Sequence, residues 1–145
     1  MTLKPLFQGS KRGTVNPGTA NRVDSVDVYT VPAGKTAYIK EIIAQMRGNT
    51  ADNIGLVVVK SGGTGIANNV AISNTSMLSP ANSSTLINDA VVIMEAAANA
   101  ATNQIVSRNT VLAAGDKIQM YIVNGTGALN ETNYGMQLLI HGDET

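Results

Sequence analysis

Residues 30–42 read TVPAGKTAYIKEI, and the Gly34-Lys35-Thr36 triplet inside them admits two interpretations with opposite consequences. As the end of a phosphate-binding loop it would open an α/β nucleotide-binding protein. As the tail of a reverse turn it would join two strands of an all-β one. A phosphate loop needs G-x-x-x-x-G-K-S/T, with a glycine-rich backbone wrapping the phosphates ahead of a helix. The residue five places before Gly34 is Tyr29, so the first glycine is missing. Thr36 to Ile43 carries Tyr38, Ile39, Ile42 and Ile43. Branched and aromatic side chains of this kind suit a pleated sheet better than a helix. Pro32 presets φ at the first central position of a turn and Gly34 relieves crowding at its end. Val31-Pro32-Ala33-Gly34 therefore reads as a type I turn between two strands.

Working outward, strand-like runs recur with turn residues between them. Val23 to Val31 alternates, placing Val26, Val28 and Thr30 on one face. Ala37 to Met46 follows the turn, and there Ile39 and Ile42 break strict period two, which predicts a bulge. Ile54 to Val59 is continuously apolar apart from Gly55, as in a strand buried on both faces. The loop SGGTGIANN, residues 61–69, comes next. Val70 to Ser73, Thr85 to Met94 and Ile105 to Val111 are weaker strands. Lys117 to Val123 and Tyr134 to His141 are strong ones, separated by the loop NGTGALNETN. Residues 95–102, EAAANAAT, are alanine-rich and fit either a short helix or a close-packed loop. Two turns echo each other: Val31-Pro32-Ala33-Gly34-Lys35 and Leu112-Ala113-Ala114-Gly115-Asp116-Lys117. About eight short strands at this spacing predict an all-β, antiparallel β-sandwich of jelly-roll type.

Composition agrees with one domain. The chain has 145 residues, 14 % of them charged, and a formal net charge of zero. Disorder requires low hydrophobicity with high net charge, so this composition argues against it. Neither nucleic acid nor a membrane is expected as a partner. A neutral surface offers little to phosphates, and no apolar run reaches membrane-span length. The absence of cysteine removes disulfides and thiolate chemistry.

Charge is unevenly placed. Residues 1–47 hold seven bases and three acids; residues 48–145 hold three bases and seven acids. The first 22 residues carry Lys4, Lys11, Arg12 and Arg22 with no acid, and Pro5, Gly9, Gly13, Pro17 and Gly18 interrupt regular structure. They read as an extended basic arm, 1–22, ahead of a sandwich domain, 23–145. Leu3, Leu6 and Phe7 give the arm an apolar anchor. Lys4, Lys11 and Arg12 give it charges for an acidic surface, either on a neighbouring subunit or on a different protein. The plainer alternative is that the arm covers its own sandwich.

Catalytic chemistry finds little support. The chain has one histidine, His141, four residues from its end, where a base would lack support. His141, Asp143 and Glu144 are too few for a closed metal site, and a solvated tail is the simpler reading. Asp24 and Asp27, three apart on a strand, face opposite ways, which argues against a catalytic carboxylate pair. Tyr29, Tyr38, Tyr121 and Tyr134 fall in or at predicted strands, which favours packing over sugar stacking. No enzyme activity and no cofactor are expected.

Three stretches taken in order, YTVPAGKTAYIKEIIAQM, NTVLAAGDKIQMYI and YGMQLLIHGDE, resemble small β-sandwich virion proteins of tailed phages, a group that includes capsid decoration (cement) proteins and tail or adaptor components. The resemblance covers residues 23–143. It implies a non-catalytic jelly-roll protein, assembled as a homotrimer on the capsid surface. Such a protein would bind the major capsid protein or another virion protein over shell subunit junctions and stabilise the head. The arm residues Leu3, Lys4, Leu6, Phe7, Lys11 and Arg12 would make the contact. The alternative is a tail or adaptor module, or a receptor-binding one whose loops recognise glycans.

Overall fold

A computed structural model describes residues 4–12, 22–47, 53–66, 70–71, 76–78, 90–97, 102–124 and 135–145. These form nine strands: β1 (Lys4–Arg12), β2 (Arg22–Thr30), β3 (Ala37–Arg47), β4 (Asn53–Val59), β5 (Val70–Ala71), β6 (Ala90–Ala97), β7 (Thr102–Leu112), β8 (Lys117–Asn124) and β9 (Gly135–Glu144). One sheet, A, has the order β1-β9-β3-β7; the other, B, has the order β5-β2-β8-β4-β6. All pairs are antiparallel.

The pairing follows a single rule once the two-residue β5 is set aside. The first strand pairs with the last (β1 with β9), the second with the second-last (β2 with β8), then β3 with β7 and β4 with β6. Rolling this nested hairpin brings β9 beside β3 and β8 beside β4. The expected jelly roll is present.

The core between the sheets is aliphatic. Ile39, Ile42, Ala44, Met136, Leu138 and Ile140 of sheet A meet Ile54, Leu56, Val58, Ile118, Met120 and Ile122 of sheet B. Sheet B is also covered on its outer face, where Val57, Val59, Tyr121 and Val123 pack under Ile66 and Met77 of the following segments. This explains the continuously apolar β4: Ile54 to Val59 is buried at every position, as expected for a strand with two covered faces.

Several expectations are refined. The bulge in β3 occurs between Ile39 and Glu41. A second lies in β2, between Asp27 and Tyr29. It reverses the alternation, so Val28, Tyr29 and Val31 are all buried and Thr30 turns outward. The turn spans Pro32–Lys35, with a 3.1 Å bond from Lys35 N to Pro32 O, and Gly34 at its third position has φ +73°. That is the glycine-requiring geometry of a type II turn, one residue later than the expected type I turn. The alanine run is not helical where it is described: Glu95 to Ala97 continue β6, because sheet pairing outweighs alanine's helix preference. The closing HGDET is not a loose tail. His141 to Glu144 belong to β9, and Thr145 exchanges two 3.0 Å backbone bonds with Thr36.

The expected arm is extended as far as it is described, but as part of the sandwich. Lys4–Arg12 is the first strand of the jelly roll and pairs along β9. The β9 edge carries unpaired N–H and C=O groups that this strand satisfies, and Leu6 and Phe7 pack against the main core. Residues 13–21 lie outside the described residues, as do Tyr134 and residues 125–133 of the second long loop.

Candidate interaction surface

The outer faces of the two sheets differ. On sheet B the chain covers itself. Glu95 is the hub of that cover: it accepts from Ser76 Oγ (2.5 Å), Met77 N (2.9 Å), Asn53 Nδ2 (3.3 Å) and the Tyr121 hydroxyl. Burial first, then the Glu95 charge and hydrogen bond, raise the Tyr121 phenol well above its ordinary range. Ile66 is clamped from two sides, its carbonyl accepting from Ser25 Oγ (2.6 Å) and its amide donating to Gln119 Oε1 (3.3 Å). Gln119 in turn donates to Asp27 (2.8 Å), whose carboxylate stands 3.4 Å from Lys117 Nζ.

One end of the sandwich is closed by three turns of the same kind. Pro32–Lys35, Lys60–Gly63 and Ala113–Asp116 each close with an i to i+3 backbone bond and carry glycine with positive φ at the third position. Buried Asp116 ties them together. It accepts from Ala113 N (2.9 Å), Ser61 N (2.8 Å) and Lys60 Nζ (2.9 Å), while its own carbonyl accepts from Val31 N (2.9 Å). Burial alone would raise its carboxyl; the Lys60 hydrogen bond, with those from Ser61 and Ala113, outweighs burial and holds it below the ordinary value. The echoed turn sequences thus meet in space. Asp116 is fully engaged by the chain's own donors, so this cluster is structural.

Sheet A is different. Its outer face holds a groove of about 540 Å³ lined by Gln8 and Gly9 of β1, Ile43 and Gln45 of β3, and Gln137 and Leu139 of β9. Strand register makes this a compact patch. Gln8, Leu139 and Ile43 form one row across three strands, and Ser10, Gln137 and Gln45 form the next. Neither row contains a charge. Ile43 is 37 % exposed and Val111 at the β7 side 56 %, while on the sheet B side Val91 of β6 and Leu78 are also exposed. Charges border the patch: His141 Nδ1 lies 4.0 Å from Glu41 Oε1 in the following row. Depletion of charge is a feature that this patch shares with the centres of protein interfaces.

The residues singled out in the sequence all map to β1 or just before it. Leu3 lies outside the described residues. Lys4 is half-exposed, 4.0 Å from Glu144, which also accepts from the Tyr29 hydroxyl at 2.8 Å. Burial, then the Glu144 hydrogen bond and charge, raise the Tyr29 phenol. Leu6 and Phe7 face the chain's own core. Lys11 and Arg12 pair through their backbones with Met136 and Gly135 at the far end of β1. The sequence reading missed the amide and aliphatic rows, since their members are dispersed over three strands and only register unites them. Among the described residues no three acidic or histidine side chains gather as metal ligands.

No family model and no curated protein matches this chain. Among solved structures, a chain in the structure of infectious bursal disease virus Gx strain superposes with a TM-score of 0.52 at 8 % identity, covering 99 % of this chain and 31 % of that one. The two share a fold over that span. A chain in the crystal structure of the T13 IBDV viral particle aligns at a TM-score of 0.40 and 6 % identity, over 99 % of this chain and 30 % of its own length. The chain spans under a third of the length of these neighbours. At such identities the likeness is one of fold.

Proposed function

We propose that this chain is a structural virion protein that decorates a capsid, seating the outer face of sheet A over junctions between shell subunits and so stabilising the head. The observation that carries this reading is the uncharged sheet A patch of Gln8, Ile43, Gln45, Gln137 and Leu139, which no described segment crosses, whereas Ile66 and Met77 pack over the outer face of sheet B. The fold shared with a chain of a virus structure supports it. Lys4, Lys11 and Arg12 lie along the bordering strand, where they would pair with shell carboxylates at the rim. Leu6 and Phe7 serve the contact indirectly, by fixing β1 to the body. Self-assembly into closed trimers would present three such patches together, and closed symmetry is the rule for such assemblies. The role calls for no catalysis and no cofactor.

The test is binding to particles stripped of this chain, with Ile43→Lys and Leu139→Lys compared against the unaltered protein. Occupancy is measured by quantitative mass spectrometry relative to the main shell protein. Lost occupancy with an unchanged melting temperature is the expected result. Full occupancy by both variants would remove sheet A from the contact. A copy number far below that of the shell protein would move the chain to the tail or neck, and absence from particles would end the virion reading.

A further inference from the structure

We infer that β1 is an exchangeable strand: the β9 edge that it occupies accepts β1 of a second copy of this chain as well as its own. β1 is the first of the described strands and stands at the edge of sheet A, so its ladder runs to β9 alone, from Lys4 opposite Gly142 to Arg12 opposite Gly135. Its anchoring side chains, Leu6 and Phe7, are only partly buried. Its ion pair, Lys4 with Glu144, is at the 4.0 Å limit and half-exposed.

The connection to β2 permits the exchange. Residues 13–21, nine in all, link sheet A to sheet B. The same crossing is made by six residues between β2 and β3 (31–36) and by four between β7 and β8 (113–116). Nine residues span up to ~30 Å when extended, against ~10 Å between packed sheets. The surplus lets β1 leave its own body without unravelling β2. Bound in trans, β1 makes the same hydrogen bonds and buries the same side chains, so the choice between arrangements is set by concentration. A connection of this length in sequence corresponds to an effective concentration of about millimolar. Neighbouring copies above that concentration take over the edge. The inference concerns the purified chain and does not depend on where in a virion it sits.

The cysteine-free sequence makes the test direct. Ser10 and Gln137 are register partners, and both are exposed. The double variant Ser10→Cys/Gln137→Cys is unfolded in urea, refolded at a series of concentrations and oxidised. Non-reducing electrophoresis should show internally closed monomer at high dilution. Disulfide-linked multimers should appear as the concentration reaches about millimolar, with roughly half of the chains linked there. Monomer alone at every concentration would overturn the inference. Mixing the two single variants excludes chance collision. Exchange predicts dimers joining position 10 of one chain to position 137 of another, in excess over same-site dimers. A statistical mixture of the three dimers would also overturn it.

Discussion

Replacing Gly55 with alanine should cost about 2.5–6 kcal/mol, far more than a methyl group normally costs in a strand. Gly55 lies mid-β4, opposite Tyr121 of β8 on one side and Glu95 of β6 on the other. The Tyr121 ring crosses over it to reach the Glu95 carboxylate. An added Cβ would stand 2.5 Å from Tyr121 Cζ and Oη, and closer still to the Met94 carbonyl. The carbonyl belongs to the β6 backbone and cannot retreat without disturbing the ladder. Ordinary contact begins at 3.4 Å, so the ring must lift by the difference, ~0.9 Å. Overpacking of this kind costs about 1–3 kcal/mol. Lifting the ring also breaks a buried hydrogen bond to a charged group, worth about 1.5–3 kcal/mol. The sum is a large part of a total stability of about 5–15 kcal/mol. The assay is urea unfolding, read as a shift in midpoint at constant slope. Tyr121→Phe isolates the second contribution, since it keeps the ring and removes only the hydroxyl. The double variant should then cost less than the two single variants added, by about the hydrogen-bond share. A loss under about 0.5 kcal/mol for Gly55→Ala, or strict additivity, would show that the ring is not seated on Gly55.

Three further outcomes follow from the turns and the β2–β9 contact. Asp116→Asn should destabilise by about 1–3 kcal/mol by leaving an amide donor unmatched. Because the folded carboxyl lies below its unfolded value of 3.8, its stabilisation is complete above that value and is lost as pH falls through the folded one. The gap in melting temperature between the unaltered protein and this variant should therefore narrow from about pH 5 to about pH 2, and a constant gap would contradict the assignment. Gly34 and Gly115 occupy equivalent turn positions, at φ +73° and +84°, but only Gly115 is packed, with Ser61 Oγ 2.6 Å from an added Cβ. Gly34→Ala should cost about 1 kcal/mol from backbone alone and Gly115→Ala measurably more, as read by denaturant midpoints. Tyr29→Phe removes the bond to Glu144 and should cost about 1.5 kcal/mol. Burial and Glu144 raise the Tyr29 phenol, so that stabilisation is intact below its ordinary pKa of 10 and lost as pH rises toward the folded value. The difference between Tyr29→Phe and the unaltered protein should therefore shrink at alkaline pH.

What the sequence discloses and what it hides divide along the range of the interaction. Turn chemistry is local, so TVPAG and LAAGD announce their turns. The β3 bulge shows in the mismatch between Ile39 and Ile42. The two buried faces of β4 show in its unbroken apolar run. The β2 bulge does not show, because Val26 and Val28 keep a regular alternation and only the register against β8 reveals that Val28 is skipped. The same limit applies to β1. Its glycines and proline suggest a separate arm, and its apolar residues suggest an anchor, but the surface that receives the anchor is the last strand, over a hundred residues away.

That first-to-last pairing has a consequence for the candidate site. Gln8, Leu139 and Ile43 become one row only after the chain has closed on itself, so the patch and the completed jelly roll are the same event. Any change that detaches β1 removes one side of the groove along with the edge strand. A truncation of residues 1–12 therefore cannot separate loss of contact from loss of a strand, whereas Ile43→Lys on the central β3 can. If β1 exchanges between copies, Gln8 enters the patch from a neighbouring subunit, and the surface is then complete only in the assembled state.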